Sequence, residues 1–394
     1  RPIERPADDP VYRTIASKAR PIRTGRGAAP IELELPFELE QPVLAVGAHM
    51  KNTITLAWKD RAVVSPHIGE MDTARSLSVF ENTVDDLQRL YGIEAEVILC
   101  DAHPGYTTTR WAGKKNMPVY PVLHHHAHAS AAFYECHSKQ DDEPVLVFSW
   151  DGTGFGEDGQ LWGGETFLGR PGAWQRVASM RPFKLPGGDK AGREPWRSAA
   201  ALCWQLGQSY SEAPGKSAEE MRLLKLAWQK DINAPSSTSV GRLFDAAAAL
   251  SGICEQASFE GQAPMQLEAV AENAADDTRN NIETKLSNKN KLLIYDWKSL
   301  ICSMTDSTLS SIERASLFHS TLARVILQQA KIFRQQHGIA TVCFSGGVFQ
   351  NRVLTERAVA LLIADGFEVC LPELIPVNDA GISFGQVIEY GYTR

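Results

Sequence analysis

Two periods of hydrophobic and polar residues run along this chain. Apolar runs of strand length recur at 43–47, 52–58, 62–66, 94–101, 118–123 and 145–150. Between them, 73–91 repeats apolar residues at helical spacing and stops at Gly92, a residue suited to closing a helix in the left-handed conformation. The run 118–123 leads straight into a histidine-rich helix start, and 145–150 predicts a buried strand that ends at Asp151-Gly152. Residues 1–42 show no sustained period and read as an extended lead-in, without a packed domain.

Further along, 193–273 is mostly helical, with 239–250 as its clearest amphipathic piece, and 274–291 is polar and Asn-rich, reading as a surface loop. A long helix over 307–337 stops at Gly338; the strand 339–344, the turn Ser345-Gly346-Gly347, a helix over 349–365 and the strand 367–371 follow. Strand, glycine turn and helix thus occur twice. The pattern predicts an α/β protein of two lobes with its ligand in the cleft between them. Its parts are a first α/β lobe over 43–180, a mostly helical insertion over 181–306 and a second α/β lobe over 307–394.

Composition narrows the function. With 40 Lys and Arg against 47 Asp and Glu, the net charge of -7 argues against a nucleic-acid grip. No apolar run approaches the roughly 20 residues that cross a bilayer, and the first residues do not resemble a secretory signal, so a soluble cytoplasmic protein without a membrane partner is expected. The 7 cysteines are scattered, with no Cys-x-x-Cys pair. That excludes a zinc ribbon and predicts no disulfide framework.

The densest chemical signal is His124-His-His-Ala-His128. On a helix, His124 and His128 share a face and can offer both imidazoles to one ion, while His125 and His126 point elsewhere. A surface histidine cluster or a pair of satisfied core histidines has the same spacing, but the strand-to-helix junction favours a ligand site. Carboxylates are the expected further ligands for such an ion. Asp151 and Asp379 follow strands in the two halves, although either alone is commonly a cap or turn residue. The glycine turns at Gly152 and at Gly346-Gly347 have free N–H groups suited to phosphate, as tight turns also do. In Pro186-Gly-Gly-Asp-Lys190, Lys190 and Asp189 could meet a phosphate and a ribose, or form a solvated turn. Lys51 could neutralise a phosphate; Asp101 and His103 could stand behind a metal ligand; Glu260-Gly-Gln262 could meet a sugar or cap a helix. The tryptophans read as packing.

Taken in order, these motifs resemble one family. Lys51-Asn-Thr, Ser65-Pro-His-Ile-Gly69, Asp101-Ala-His-Pro104, His124-His-His-Ala-His128, Asp151-Gly-Thr-Gly-Phe-Gly-Glu-Asp-Gly159, Leu185-Pro-Gly-Gly-Asp-Lys190, Arg193-Glu-Pro-Trp-Arg197, Phe259-Glu-Gly-Gln262, Ser345-Gly-Gly-Val-Phe-Gln-Asn351 and Asn378-Asp379 are similar to the C-terminal carbamoyltransferase part of HypF, a NiFe-hydrogenase maturation family. The resemblance runs from about residue 42 to the end, and residues 20–30 resemble the tail of a YrdC-like domain.

That resemblance implies an actin, sugar-kinase and Hsp70-like fold with duplicated ribonuclease-H-like lobes. It implies transfer of a carbamoyl group from carbamoyl adenylate, made from ATP and carbamoyl phosphate, to the C-terminal cysteine of HypE on the way to a cyanide ligand. His124, His128, Asp151 and Asp379 look like its metal set, for iron or zinc, with Mg as a further cation. Gly188, Asp245, Gly346, Gly347 and Asn351 look like its nucleotide contacts. His126 would assist ionisation of the acceptor thiol. The chain lacks the acylphosphatase, zinc-finger and adenylating segments of the complete pattern, which implies a separate source of the adenylate. Rival readings are an O-carbamoyltransferase acting on a small-molecule hydroxyl, an ATP-dependent kinase of the same superfamily and a non-catalytic module that docks HypE.

Overall fold

Two sheets organise the chain. The first has four strands in the order Thr55–Val64, Ile31–Ala45, Val97–Asp101, Val119–Val122. Its first pair is antiparallel and the others are parallel. The second sheet has nine strands, and its main path runs Lys285–Lys289, Leu292–Asp296, Gln175–Met180, Leu161–Gly169, Val145–Phe155, Thr341–Ser345, Glu368–Cys370. This computed structural model describes residues 7–136, 143–274 and 282–394. Helices cover the central strands, which is why 145–150 is apolar almost without alternation. Among the described residues no helix is long and apolar enough to cross a membrane.

Local sequence sets several boundaries. Thr73 caps the helix Ala74–Tyr91 through a hydrogen bond from the Ser76 N–H, and Gly92 closes it in the left-handed conformation. Ser310 and Glu313 form a capping box, so the long helix starts at Ser311, later than 307, and ends at His337 with Gly338 left-handed.

The expected divisions at 42, 180 and 306 do not follow the sheets. Ile31–Ala45 is one long strand with Leu35 and Leu39 buried, and the turn after it splits the expected short strands differently. Before it, Val11–Ile15 and Lys18–Arg23 form a hairpin. The strands between 145 and 180 pair into the second sheet, since Val145–Phe155 lies parallel to Thr341–Ser345. The last helix, Ile382–Tyr392, returns to pack Phe384, Val387 and Ile388 against Val43, Val97 and Leu99 of the first sheet. Within the expected loop 274–291, the strand Lys285–Lys289 pairs with Leu292–Asp296; residues 275–281 lie outside the described ones. The cysteine reading is corrected as well: Cys136 is bonded to Cys370, 234 residues away in sequence. Spacing carries no trace of such a pair, because only the fold brings its members together.

Candidate metal and nucleotide site

His124 and His128 lie on the first turns of the helix His124–Cys136 and are almost completely buried. The strand Val145–Phe155 does not end at Asp151. It continues to Phe155, and its register against Leu161–Gly169 shifts between Trp150 and Gly154, so Asp151 stands at a bulge that turns its carboxylate toward the histidines. Asp379 opens a short 3-10 turn just before the last helix. Two glycines make room for this convergence. A Cβ on Gly346, at φ 95°, would lie 2.1 Å from the Trp150 carbonyl oxygen, and one on Gly154 would lie 2.4 Å from Cε1 of His125 and 2.7 Å from Cδ2 of His124.

The ligand atoms of His124, His128, Asp151 and Asp379 all lie within 4.8 Å of one another. Asp151 Oδ2 is 3.3 Å from His124 Nε2 and 3.6 Å from His128 Nε2; Asp379 Oδ1 is 3.9 Å and 3.6 Å from the same two nitrogens. Bonds of about 2.0–2.2 Å to a tetrahedral cation require ligand separations of roughly 3.3–3.6 Å. His128 Nε2 is buried with no hydrogen-bond partner. His124 donates its other nitrogen, Nδ1, to Asp101 Oδ2 at 2.8 Å, the kind of support that orients metal-ligating histidines. Three of the four nitrogen–oxygen separations fall in the tetrahedral range and the fourth, at 3.9 Å, lies just outside it, so the four side chains are gathered where they could hold a divalent ion.

Their electrostatics are strongly coupled. Burial alone would lower the His124 imidazole, but Asp101, Asp151 and Asp379 outweigh it and hold it well above its ordinary value. His128 is raised against the same opposition by Asp151 and Asp379. Burial would raise the Asp151 carboxyl, yet the two imidazoles hold it well below the carboxylate range. His125 is buried beside them, its ring nitrogens lack hydrogen-bond partners, and burial pushes it well below the ordinary histidine value.

Asp151 also borders a cavity of about 560 Å³, a size that takes a small ligand. Lys51, Gly152, Gly241, Arg242, Gly347 and Asn351 line it beside Asp151, and Ile22, Phe244, Met265 and Val348 supply apolar walls. The Gly347 N–H donates to Asp151 Oδ1 at 3.2 Å, tying glycine turn and ligand cluster together. Lys51 ion-pairs with Glu260 at 2.6 Å; burial opposes its charge, but Glu260, Asp379 and Asp151 raise its pKa. Its backbone sits at φ 46°, an uncommon conformation for a residue with a side chain.

Of the nucleotide candidates, Gly152, Gly347 and Asn351 reach the cavity, whereas Gly346 packs against the Trp150 backbone and does not line it. Asn351 is committed as the N-cap of the helix Arg352–Ala364 and donates to His319 Nε2 at 3.0 Å. Asp245 is not at the cavity wall. It is buried beneath it, where burial pushes its carboxyl up to about 7 against the pull of Arg242, its ion-pair partner at 2.9 Å. Gly188 sits at φ 54° in the 3-10 turn Gly188–Gly192, which does not line the cavity, and the Asp189 side chain lies outside the described part. His126 is corrected too: half a helical turn from His124 and His128, it faces away toward Glu389 and Glu157 at 3.6 and 3.9 Å.

Sequence reasoning missed Arg242 and Arg13. Arg242 lies in the first turn of the helix Val240–Leu250, whose N-cap Ser239 donates its hydroxyl to the Asp151 and Gly152 carbonyls. A basic residue three positions after an N-cap serine was the available signal. Arg13 comes from the N-terminal hairpin, binds Glu268 through both guanidinium nitrogens at 2.9 and 2.8 Å, and lines the cavity. The segment read as an unpacked lead-in therefore contributes a wall of the pocket.

Comparison with known proteins identifies the family and the fold. The family described as "Carbamoyltransferase, Kae1-like Domain, second subdomain" matches residues 147–386, and "HypF Kae1-like domain" matches 38–135. A Synechocystis protein named Carbamoyltransferase HypF is 37% identical over 98% of this chain and 52% of its own length. A Cupriavidus necator protein named Carbamoyltransferase HypF homolog is 32% identical over 88% of this chain and 90% of its own. A crystal structure of full-length HypF in a phosphate- and nucleotide-bound form superposes with a TM-score of 0.90 at 30% identity, covering 98% of this chain and 61% of that one. The chain spans about half the length of most of the curated relatives it matches.

Proposed function

Because the chain belongs to the HypF carbamoyltransferase family, we propose that it moves a carbamoyl group from carbamoyl adenylate to a cysteine thiol, that of the C-terminal residue of HypE, in the cytoplasm. The observation that carries this reading is the double duty of Asp151, which belongs to the four-ligand cluster and also borders the cavity.

The residues divide the work by charge. The apolar wall of Ile22, Phe244, Met265 and Val348 suits a purine ring, and Lys51 with Arg242 suits the phosphate that leaves as AMP. Gly152 and Gly347 allow backbone to approach that phosphate closely. His124, His128, Asp151 and Asp379 would hold the divalent cation, iron or zinc, which when bound supplies Lewis-acid polarisation of a carbonyl or phosphoryl oxygen. Asp101 keeps His124 in the tautomer with Nε2 turned inward. The acceptor thiol reacts as its thiolate, and protonated Lys51 provides positive charge at the cavity where that thiolate would arrive. An upstream adenylating activity would supply the carbamoyl adenylate.

Incubating the protein with carbamoyl adenylate, a peptide ending in the HypE C-terminal cysteine and a sugar acceptor tests the reading. One carbamoyl mass on the cysteine supports it. Carbamoyl on the sugar hydroxyl, or phosphoryl on either acceptor, contradicts it.

A further inference from the structure

The helix that carries His124 and His128 at its start carries Glu135 and Cys136 at its end. Both of these hold the segment that leads to Asp379. Cys136 is bonded to Cys370, the last residue of the strand Glu368–Cys370. The Glu135 carboxylate then accepts the backbone N–H groups of Glu373, Leu374 and Ile375 at 2.6, 2.9 and 2.8 Å. From Ile375 only Pro376 and Val377 separate this anchored turn from Asn378-Asp379. The three ligands His124, His128 and Asp379 thus come from two elements that are fastened to each other at the far end of the helix.

We propose that Cys136 and Cys370 form a thiol–disulfide staple whose redox state sets how firmly the Asp379 segment is held against the histidine helix, and through that the affinity of the ligand cluster for its cation. The link to the cation rests on the metal reading above; the staple does not.

A third thiol lies close by. Cys343 pairs with Cys370 across the parallel strands, and the sulfurs of Cys136, Cys343 and Cys370 all lie within 4.8 Å of one another. A soft metal held by three thiolates is the competing use of this cluster. The surroundings oppose it, because Cys343 is completely buried among Ala129, Ala132, Phe133, Val145 and Val147, an apolar pocket ill suited to concentrated negative charge. Burial also pushes the Cys343 thiol up, so it stays protonated and neither ligates nor attacks the neighbouring bond. Cys136 and Cys370 are only half-buried, unlike Cys343.

The chemistry balances with a small-molecule disulfide such as oxidised glutathione. The thiolate of one cysteine displaces one glutathione thiol to give a mixed disulfide; the other cysteine displaces the second. One protein S–S bond forms, and two electrons and two protons leave on two reduced glutathione molecules.

Amide hydrogen exchange of the full chain, equilibrated with excess oxidised or reduced glutathione and read over 371–381, tests the staple. Slower exchange in the oxidised form is expected. Cys136→Ser should exchange at the reduced rate in both buffers, and Cys343→Ser should keep the difference. Equal exchange in the two forms of the wild-type chain overturns the proposal, as does loss of the difference in Cys343→Ser. A parallel titration with Mn²⁺ alone, a poor thiolate ligand, should show roughly tenfold tighter binding to the oxidised form, the scale typical of support around metal ligands. Equal Mn²⁺ affinity in both forms overturns the link to the cation. Absence of Mn²⁺ binding in both, with the exchange difference intact, counts against the metal reading and leaves the staple standing.

Discussion

His124 donates its Nδ1–H to Asp101 Oδ2 at 2.8 Å and turns its Nε2 toward Asp151 Oδ2 at 3.3 Å, so one imidazole joins a strand of the first sheet to a strand of the second. The contact is completely buried on the Asp101 side. It fixes the tautomer and the ring plane before any ion arrives, and it places the ligand cluster at the junction of the two lobes.

Removing that support should be felt at the ion and little elsewhere. Asp101→Asn is expected to weaken binding of a divalent cation by about 10–100-fold while far-UV circular dichroism stays unchanged. Unaltered affinity in a metal titration would show that the hydrogen bond is merely structural.

Charge in the metal-free cluster gives a stability signature. His124 and His128 are raised, so their contribution is fully present below an unfolded value of about 6.5 and is lost as pH rises through their folded values. Asp151 is lowered, so its contribution is present above about 3.9 and is lost as pH falls through its folded value. Both hold between about pH 4 and pH 6.5. The metal-free Tm should therefore be higher at about pH 6 than at about pH 9. A His124→Ala, His128→Ala double variant should lose much of that difference. The same Tm drop in wild type and variant would refute the assignment.

At the cavity, Lys51→Ala and Arg242→Ala should each weaken binding of an adenine nucleotide by about 1.5–3 kcal/mol, the scale of hydrogen bonds to charged groups. Bound-metal content should stay the same. Calorimetric titration with AMP measures the first and elemental analysis the second; wild-type AMP affinity in both variants would remove the phosphate role.

The backbone turn at Gly346 is expected to tolerate no side chain. Gly346→Ala should cost about 1–3 kcal/mol or more, since its Cβ meets the Trp150 carbonyl. Gly207→Ala, also at positive φ but with open space around it, should cost about 1 kcal/mol. Equal melting temperatures for the two variants would contradict this packing argument.

Much of this was legible in the chain because it depends on local period and spacing. The helix Ala74–Tyr91 with its Gly92 stop, the buried strand Val97–Asp101 and the i, i+4 histidines need only neighbouring residues to specify them. Asp101 was readable as a possible partner of the histidine motif because it ends a strand, and it does accept from His124. What escaped depends on distant segments. Arg13 reaches Glu268 across 255 positions, and Cys136 meets Cys370 across 234. The helix Ile382–Tyr392 leaves the second half of the chain to complete the first sheet's core. Asp245, expected at the nucleotide from the resemblance alone, lies on the buried face of its helix and pairs with Arg242, which does line the cavity, a relationship that spacing does not reveal. His126 shares a motif with the ligands but not a helix face.

Metal content of the purified chain after equilibration with zinc or ferrous ion, compared with His128→Ala and Asp379→Ala, bears most directly on the central claim. One ion per wild-type chain that withstands gel filtration is expected, and its loss in both variants, although the substituted residues lie 251 positions apart in sequence. Retention of the ion in either variant, or no ion in the wild type, would contradict it.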